Sequence, residues 1–366
     1  MFILFFILIL VVLIIVHEFG HFSVAKLFGI RVDEFGVFFP PRLFAKKFGE
    51  TEYSLNLLPL GGYVKIFGEN YDEGAQDPRS FVRKPRYKQA LVLLAGIAFN
   101  LLFAWLVLSL GYFVGMPTPV DHIGFGTVTN TQVLVANVIP NSPAEKAGVV
   151  PGDVVEKVQT ATDVLDIRTL NTNQQAEAAT NFITAHETSS IGLTIDRNGE
   201  EKLFLMYPAD NIVQGRKAIG VGLDDVGILK LNPVEALGEG ALVGWNITES
   251  TATGLLGFFK QLFTASANFS DVSGPIGITV YGAAALKQGF AAGVTLIALI
   301  SINLALINLV PIPGLDGGRL LIVIIEAIIR RPVSPSVVMK LTIAGFALLI
   351  TLMLVVSYHD ITKLVG

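Results

Sequence analysis

The sequence predicts a polytopic α-helical membrane protein with about four transmembrane helices, one of them broken. It adds a membrane-dipping β-hairpin and an inserted extracytoplasmic β-rich domain. Three observations predict this class. The 366 residues are 52% hydrophobic and only 15% charged, with a mean hydropathy of +0.62, more apolar than a soluble core of this length requires. Apolar runs at about 1–25, 90–115 and 338–357, with an interrupted one over 290–330, meet the length of roughly 20 residues needed to cross a bilayer. Between about 116 and 226 the character changes to short alternating runs ("QVLVANVI", "IGLTIDRNG", "KLFLMY") divided by Gly, Pro and Asn, the pattern of half-buried strands.

Composition also excludes functions. A net charge of -4, an isoelectric point near 5.8 and the lack of a Lys/Arg-rich tract leave no electrostatic footprint for nucleic acid. With no cysteine, disulfides, thiolate metal sites and a cysteine nucleophile are all ruled out. Any metal must rest on His and carboxylate side chains.

Taken in order, the first apolar run has no basic residue before it and no small-residue cleavage site after it, so it reads as a retained span rather than a signal peptide. The loop that follows is rich in basic residues (Lys26, Arg31, Arg42, Lys46, Lys47, Lys65, Arg79, Arg83, Lys84, Arg86 and Lys88), which marks it as cytoplasmic. Both termini are then expected outside. Arg330, Arg331 and Lys340 place the connection between the last two spans on the same cytoplasmic side. Within that first loop, "YSLNLLPLGGYVKIFG" (53–68) is strongly apolar. Its strand-like runs flank Pro59, Gly61 and Gly62, as in a hairpin or an amphipathic loop.

The four expected regions are an N-terminal membrane domain over 1–115, the β-rich domain over 116–226, a connecting segment over 227–289 and a C-terminal membrane domain over 290–366. Residues 233–263 mix apolar positions at helical spacing with Glu, Asn and Lys, so that helix either lies along the outer membrane face or packs into the core. The broken span stops at Pro311-Ile312-Pro313-Gly314. Because proline removes a backbone donor, non-helical chain at membrane depth is tolerated only against protein or a watery cavity, which makes 311–318 a candidate wall of a site.

The chemistry lies in "VVLIIVHEFGHFSVAK" (11–26). His17 and His21 are one turn apart on one helix face, where two imidazoles can converge on one ion, and Glu18 can reach a water bound there. A helix entering from outside carries His17 roughly 24 Å into a layer of about 30 Å, toward its cytoplasmic side. Each ionisable group at such depth costs roughly 2.5–3.5 kcal/mol on insertion scales, so three without a purpose would be an uncompensated penalty. A catalytic zinc site usually has three protein ligands. Asp316 in "NLVPIPGLDGGRLL" can supply the third, or can cap the helix that follows it. Glu326 is a weaker rival, since Arg330 and Arg331 offer it an ordinary partner one turn away. Asn303 and Asn308 place two amides in the apolar run before the break, where helix packing competes with function. Asn100, in "LAGIAFNLL", reads as structural.

"HEFGH", "PLGGYVKIFGE", "SGPIGI" (273–278) and "INLVPIPGLDGG" occur together in this order across essentially the whole chain. They resemble the site-2 protease family of intramembrane zinc metalloproteases, closest to the bacterial regulator of sigma-E protease type. The resemblance implies one Zn2+ ion held by His17, His21 and Asp316, with Glu18 as the catalytic acid and base. It implies substrate contacts for Asn308 and Asn303, and a hairpin around Gly61 and Gly62 that dips toward the site and can hold an unwound substrate by its strand edge. The implied substrates are transmembrane proteins, usually already shortened by another protease, and the implied location is the bacterial inner membrane with the active site toward the cytoplasm. "VIPNSPAEKAGVVPGDVVEKV" (138–158) looks like part of a PDZ domain, to which "KAIGVGLDDV" (217–226) adds part of a groove. Such a domain binds a peptide or substrate C-terminus, filters by size, or serves as a spacer. Relatives often carry two such domains, and this chain has length for one. Two rivals come from other classes. A metal transporter would string its ligands across the bilayer. A silent PDZ scaffold would have no use for both metal motifs. Replacing Glu18 by Gln separates all three.

Overall fold

The computed structural model describes residues 2–69, 77–170, 174–197, 199–213, 216–264 and 274–365, so Asn198 and Ser273, within two runs quoted above, lie outside the described residues. The chain forms two compact units, one of residues 1–109 with 240–366 and one of residues 110–239.

The first unit is mainly helical. Among the described residues, four helices are long and apolar enough to cross a membrane. They are α1 (Phe2–Leu27), α2 (Arg86–Val114), α7 (Phe290–Leu309) and α9 (Pro335–Val365). The expected break follows α7. Leu309 ends the helix, residues 310–315 form an irregular turn in which Leu315 N donates to Ile312 O at 3.1 Å, and α8 (Asp316–Ile329) resumes. Glycine makes this turn possible. A Cβ at Gly317 would strike Leu309 O, one at Gly318 would strike Ile312 O, and one on Gly345 of α9 would strike Pro313 O.

Between α1 and α2 the chain forms β1 (Val32–Phe48) and β2 (Thr51–Ile66), joined at Gly49 and Glu50. This corrects the expected hairpin. Pro59, Gly61 and Gly62 make a bend inside β2, and its two halves do not pair with each other. Instead β1 comes between them, with Gly36 opposite Tyr63 on one side and Ser54 on the other. Glu34 fastens this arrangement, its Oε1 accepting from Ser54 Oγ at 2.6 Å, Tyr63 Oη at 2.7 Å and Arg42 Nη2 at 3.0 Å. Phe22 of α1 stacks edge-on against Phe35 and Tyr53, with centroids 5.5 and 6.1 Å away, and so pins the sheet to the helix. Ala25, Ile30, Val32, Ile66, Phe81, Val92, Leu93 and Val323 close the core beneath.

Glu326 also differs from expectation. Its carboxylate lies 2.7 Å from Nη1 of Arg86 at the start of α2 and accepts from Val333 N at 2.8 Å. Arg330 is the residue where α8 ends, with φ +54°, so the chain has already turned away from the helical path that would have aligned the two side chains.

α5 (Pro233–Phe263) and α6 (Pro275–Lys287) fill the stretch before α7. A Cβ at Gly240 would lie 2.8 Å from Ser109 N, so α5 packs directly on α2 there rather than lying free. At the other end of the "SGPIGI" run, Asp360 of α9 accepts from Gly274 N at 3.1 Å and Gly277 N at 2.8 Å, capping α6 from outside.

The second unit holds a seven-stranded sheet in which β3 (Met116–Pro119), β11 (Val221–Leu229), β4 (Thr129–Val138), β5 (Val154–Gln159), β7 (Ile191–Arg197) and β8 (Glu200–Met206) lie in that order, and β6 (Val164–Asp166) joins β5. β9 (Ala209–Val213) and β10 (Arg216–Ala218) pair separately. Strand β11 runs past 226, so the unit extends beyond the expected domain limit. Two helices complete it, α3 (Pro143–Ala147) and α4 (Gln175–Ala185). Ser142 caps α3 by accepting from Glu145 N at 3.3 Å. Asp153, 1% exposed, is gripped by Arg197 through Nε and Nη2, both at 2.7 Å. Val133, Val155, Leu193 and Ile195 lie in the core between sheet and helices.

Candidate metal centre and active site

α1 is apolar along almost its whole length, so its polar residues near the C-terminal end must be satisfied by protein. The fold achieves this by close approach of α2. A Cβ on Gly20 would lie 2.8 Å from Ala95 C, and one on Gly96 would lie 2.7 Å from His17 Cε1 and run into Nε2 of His21. Small residues on both helices therefore bring α2 against the two imidazoles. His21 Nδ1 lies 2.8 Å from Val92 O. A carbonyl can only accept, so Nδ1 carries a proton, and Nε2 is the atom through which the neutral ring would ligate.

Asp316 arrives from the far end of the chain. Its Oδ2 lies 2.9 Å from Nε2 of His17 and 3.1 Å from Nε2 of His21, and the two Nε2 atoms are 3.1 Å apart. These three residues form a group in which one ligand atom from each lies within 4.8 Å of the others. The position of Asp316 as first residue of α8, after an N-cap at Leu315, directs its carboxylate to the histidines rather than to its own helix. Tetrahedral nitrogen and oxygen ligands at 2.0–2.1 Å from zinc sit about 3.3 Å apart, so the three atoms need to open by only a few tenths of an ångström. Two imidazoles and a carboxylate are a zinc donor set that leaves a fourth position for water. The residues fit the ion.

The remaining predicted residues divide. Glu18, beside His17, accepts a hydrogen bond from the Val64 backbone in β2. Gly62 lies close by, since its Cβ would stand 3.8 Å from Glu18 Cγ, and Gly61, at φ +148°, faces Ile14 one turn earlier on α1. The strand thus borders the Glu18 side of the site. Asn303 and Asn308 are not drawn in. Their Nδ2 atoms donate to Leu299 O and Leu304 O of their own helix, each at 3.0 Å, and among the described residues no hydrogen bond joins either to the histidine group. Asn100, read from the sequence as structural, stands beside the site, its Nδ2 3.3 Å from His17 Nδ1. A cavity of about 300 Å³ opens next to Leu93 and Gly314 and is also lined by Arg319, Thr342 and Phe346. Arg319 pairs there with Glu69 and donates from Nη2 to its backbone oxygen at 3.0 Å.

The sequence profile described as "Peptidase family M50" matches residues 5–352. The chain belongs to peptidase family M50. This bears out the site-2 protease resemblance carried by the sequence motifs. The M50 chain is 34% identical over 365 residues to a Clostridium perfringens protein, covering 99% of this chain and 98% of that protein. It is 34% identical over 362 residues to a Synechocystis protein, covering 97% and 93%. For a Clostridium acetobutylicum protein the identity is 32% over 355 residues, covering 96% and 94%. All three bear the name "Putative zinc metalloprotease". With four apolar helices of spanning length, this M50 peptidase is a multi-pass membrane protein.

Proposed function

We propose that this M50 peptidase is an intramembrane zinc metalloprotease that hydrolyses peptide bonds within or near transmembrane segments of other membrane proteins. The observation that carries the reading is the convergence of His17, His21 and Asp316 in helices α1 and α8, with Glu18 adjacent. Zinc held by these three side chains supplies Lewis-acid activation of water and of the scissile carbonyl. Glu18 takes the proton of the attacking water and delivers it to the departing amide nitrogen. The β2 strand around Gly61 and Gly62 aligns an unwound substrate by backbone pairing, because helical carbonyls are otherwise hidden from water. Asn308 and, less directly, Asn303 contact substrate when it enters beside α7. The cavity beside Gly314 admits the water that hydrolysis consumes.

The chain sits in a bacterial cell membrane, with the β-rich unit outside and the active site toward the cytoplasm, as the basic loops favour. That unit is of the PDZ type and receives a substrate C-terminus or screens substrates by size. In keeping with the regulator of sigma-E protease type, substrates have already lost their outer part. Purified full chain incubated with a membrane-spanning peptide tests the reading. Cleavage is expected from the wild type, lost with chelator, restored by zinc, and absent from Glu18→Gln although that variant keeps its zinc. Chelator-insensitive cleavage, or an active Glu18→Gln, would overturn it.

A further inference from the structure

The two ligand histidines are held by α2 in different ways, and the difference assigns a task to a residue outside the motif. His21 is held by a main-chain carbonyl, Val92 O, which fixes its proton on Nδ1. His17 presents its Nδ1 to an amide, Asn100, across 3.3 Å. An amide can face an imidazole in two ways. With Nδ2 toward His17 it donates to Nδ1, which leaves the imidazole proton on Nε2. Nε2 is the atom 2.9 Å from Asp316 and 3.1 Å from Nε2 of His21, where a metal ligand must offer a lone pair. Rotating the amide by half a turn exchanges its two ends without changing its shape and places Oδ1 against Nδ1. In that arrangement His17 Nδ1 donates to Asn100 Oδ1, and Nε2 is free to ligate.

The surroundings bear on the choice. Asn100 is fully buried, and its Oδ1 has no hydrogen-bond partner among the described residues. Either orientation leaves one end of the amide unpaired, so the amide alone does not decide; the chemistry of His17 does. The backbone of Asn100 is also fixed, its carbonyl accepting from Ser301 Oγ at 2.8 Å, with Ser301 on α7, the helix that leads to the Asp316 turn. An amide suits this depth better than a carboxylate would, because it accepts a proton bond without adding another charge at membrane level.

We infer that Asn100 is a positioning residue for the metal centre: its Oδ1 accepts from Nδ1 of His17 and holds that imidazole in the orientation and tautomer whose Nε2 faces the ion. The inference rests on reading His17, His21 and Asp316 as the zinc site. A purely structural role as interhelical glue is the alternative.

The test measures zinc release from the detergent-solubilised full chain to a chromophoric chelator, together with the melting temperature of each protein in zinc-free buffer. Asn100→Leu removes the acceptor, Asn100→Asp preserves it, and Ser301→Ala loosens the α2–α7 contact without touching the amide. Asn100→Leu is expected to give up zinc about 10–100-fold more readily, the usual effect of losing a group that orients a ligand. Asn100→Asp is expected to hold zinc within about threefold of the wild type or more tightly, and Ser301→Ala to resemble the wild type. If Asn100→Asp releases zinc as readily as Asn100→Leu, or if Asn100→Leu retains it like the wild type, the inference is overturned. Should the wild type itself hold zinc no better than His17→Ala, the metal-site reading fails instead.

Discussion

His17 Nε2 and Asp316 Oδ2 lie 2.9 Å apart although 299 positions separate the two residues in the chain. At that distance an imidazole nitrogen and a carboxylate oxygen share either a proton or a cation. Asp316 is the first residue of α8, behind Leu315 at the N-cap, so Asn at this position keeps the side chain's shape and takes no cap from the helix. Asp316→Asn is therefore expected to fold with nearly unchanged melting temperature and to lose most of its bound zinc, measured by elemental analysis of purified protein. Full zinc occupancy in that variant would remove Asp316 from the set of metal ligands.

The second prediction concerns Gly96. Alanine normally stabilises a helix interior by about 0.5–1 kcal/mol relative to glycine. Here its Cβ would enter the space of the His21 imidazole and lie 2.7 Å from His17 Cε1. Gly96→Ala should abolish zinc binding, whereas Gly254→Ala on α5, whose Cβ meets nothing within 4 Å, should not. Equal zinc content in the two variants would contradict the close packing of α1 on α2.

Glu34 predicts a pH dependence. Burial pushes its carboxyl up, but the hydroxyls of Ser54 and Tyr63 and the Arg42 guanidinium outweigh that and hold it below the ordinary carboxylate range. A carboxyl whose folded value is depressed stabilises the fold above its unfolded value and loses that contribution as pH falls through the folded one. Glu34→Gln should cost about 1–3 kcal/mol at pH 7. The gap in melting temperature between variant and wild type should shrink once the pH drops below about 4.5. A gap that stays constant with pH would show that the charge of Glu34 is irrelevant.

In the β-rich unit the sharpest dependence is on Asp153. It is almost fully buried, accepts from Val150 N at 2.9 Å, and is paired twice with Arg197. Asp153→Ala leaves that guanidinium with the Gly148 carbonyl but no carboxylate, and should destabilise the unit by about 3 kcal/mol or more. Urea unfolding followed by near-ultraviolet circular dichroism of the full chain measures it, and a loss under about 1 kcal/mol would refute the estimate.

Much of the site is legible in the sequence. The four-residue spacing of His17 and His21 marks one helix face whatever the rest of the chain does, because helical periodicity is local. The break at Pro311 is equally local, since a missing donor interrupts a helix wherever it falls. Asp316 was only half legible: cap and ligand have the same residue type at the same place, and only the approach of α1 sets its carboxylate against the two histidines. That Asn100 lies beside His17 was hidden for a related reason. A lone amide in an apolar helix signals a need for a partner without naming it, and only the packing of Gly20 against Ala95 and Gly96 places His17 there.

Long-range pairings outside the histidine motif were beyond sequence reasoning. Glu326 has arginines one turn ahead of it, yet its partner is Arg86, because α8 ends in a left-handed residue and swings Arg330 aside. In the β1–β2 sheet the apolar run around Pro59 suggested two strands folding on each other, and the fold inserts β1 between them. By itself the sequence determined what depends on neighbours along the chain: the spanning segments, the break and the ligand spacing. Tertiary structure alone decided which distant groups meet, because a buried charge or amide takes whichever partner the packing of other helices delivers.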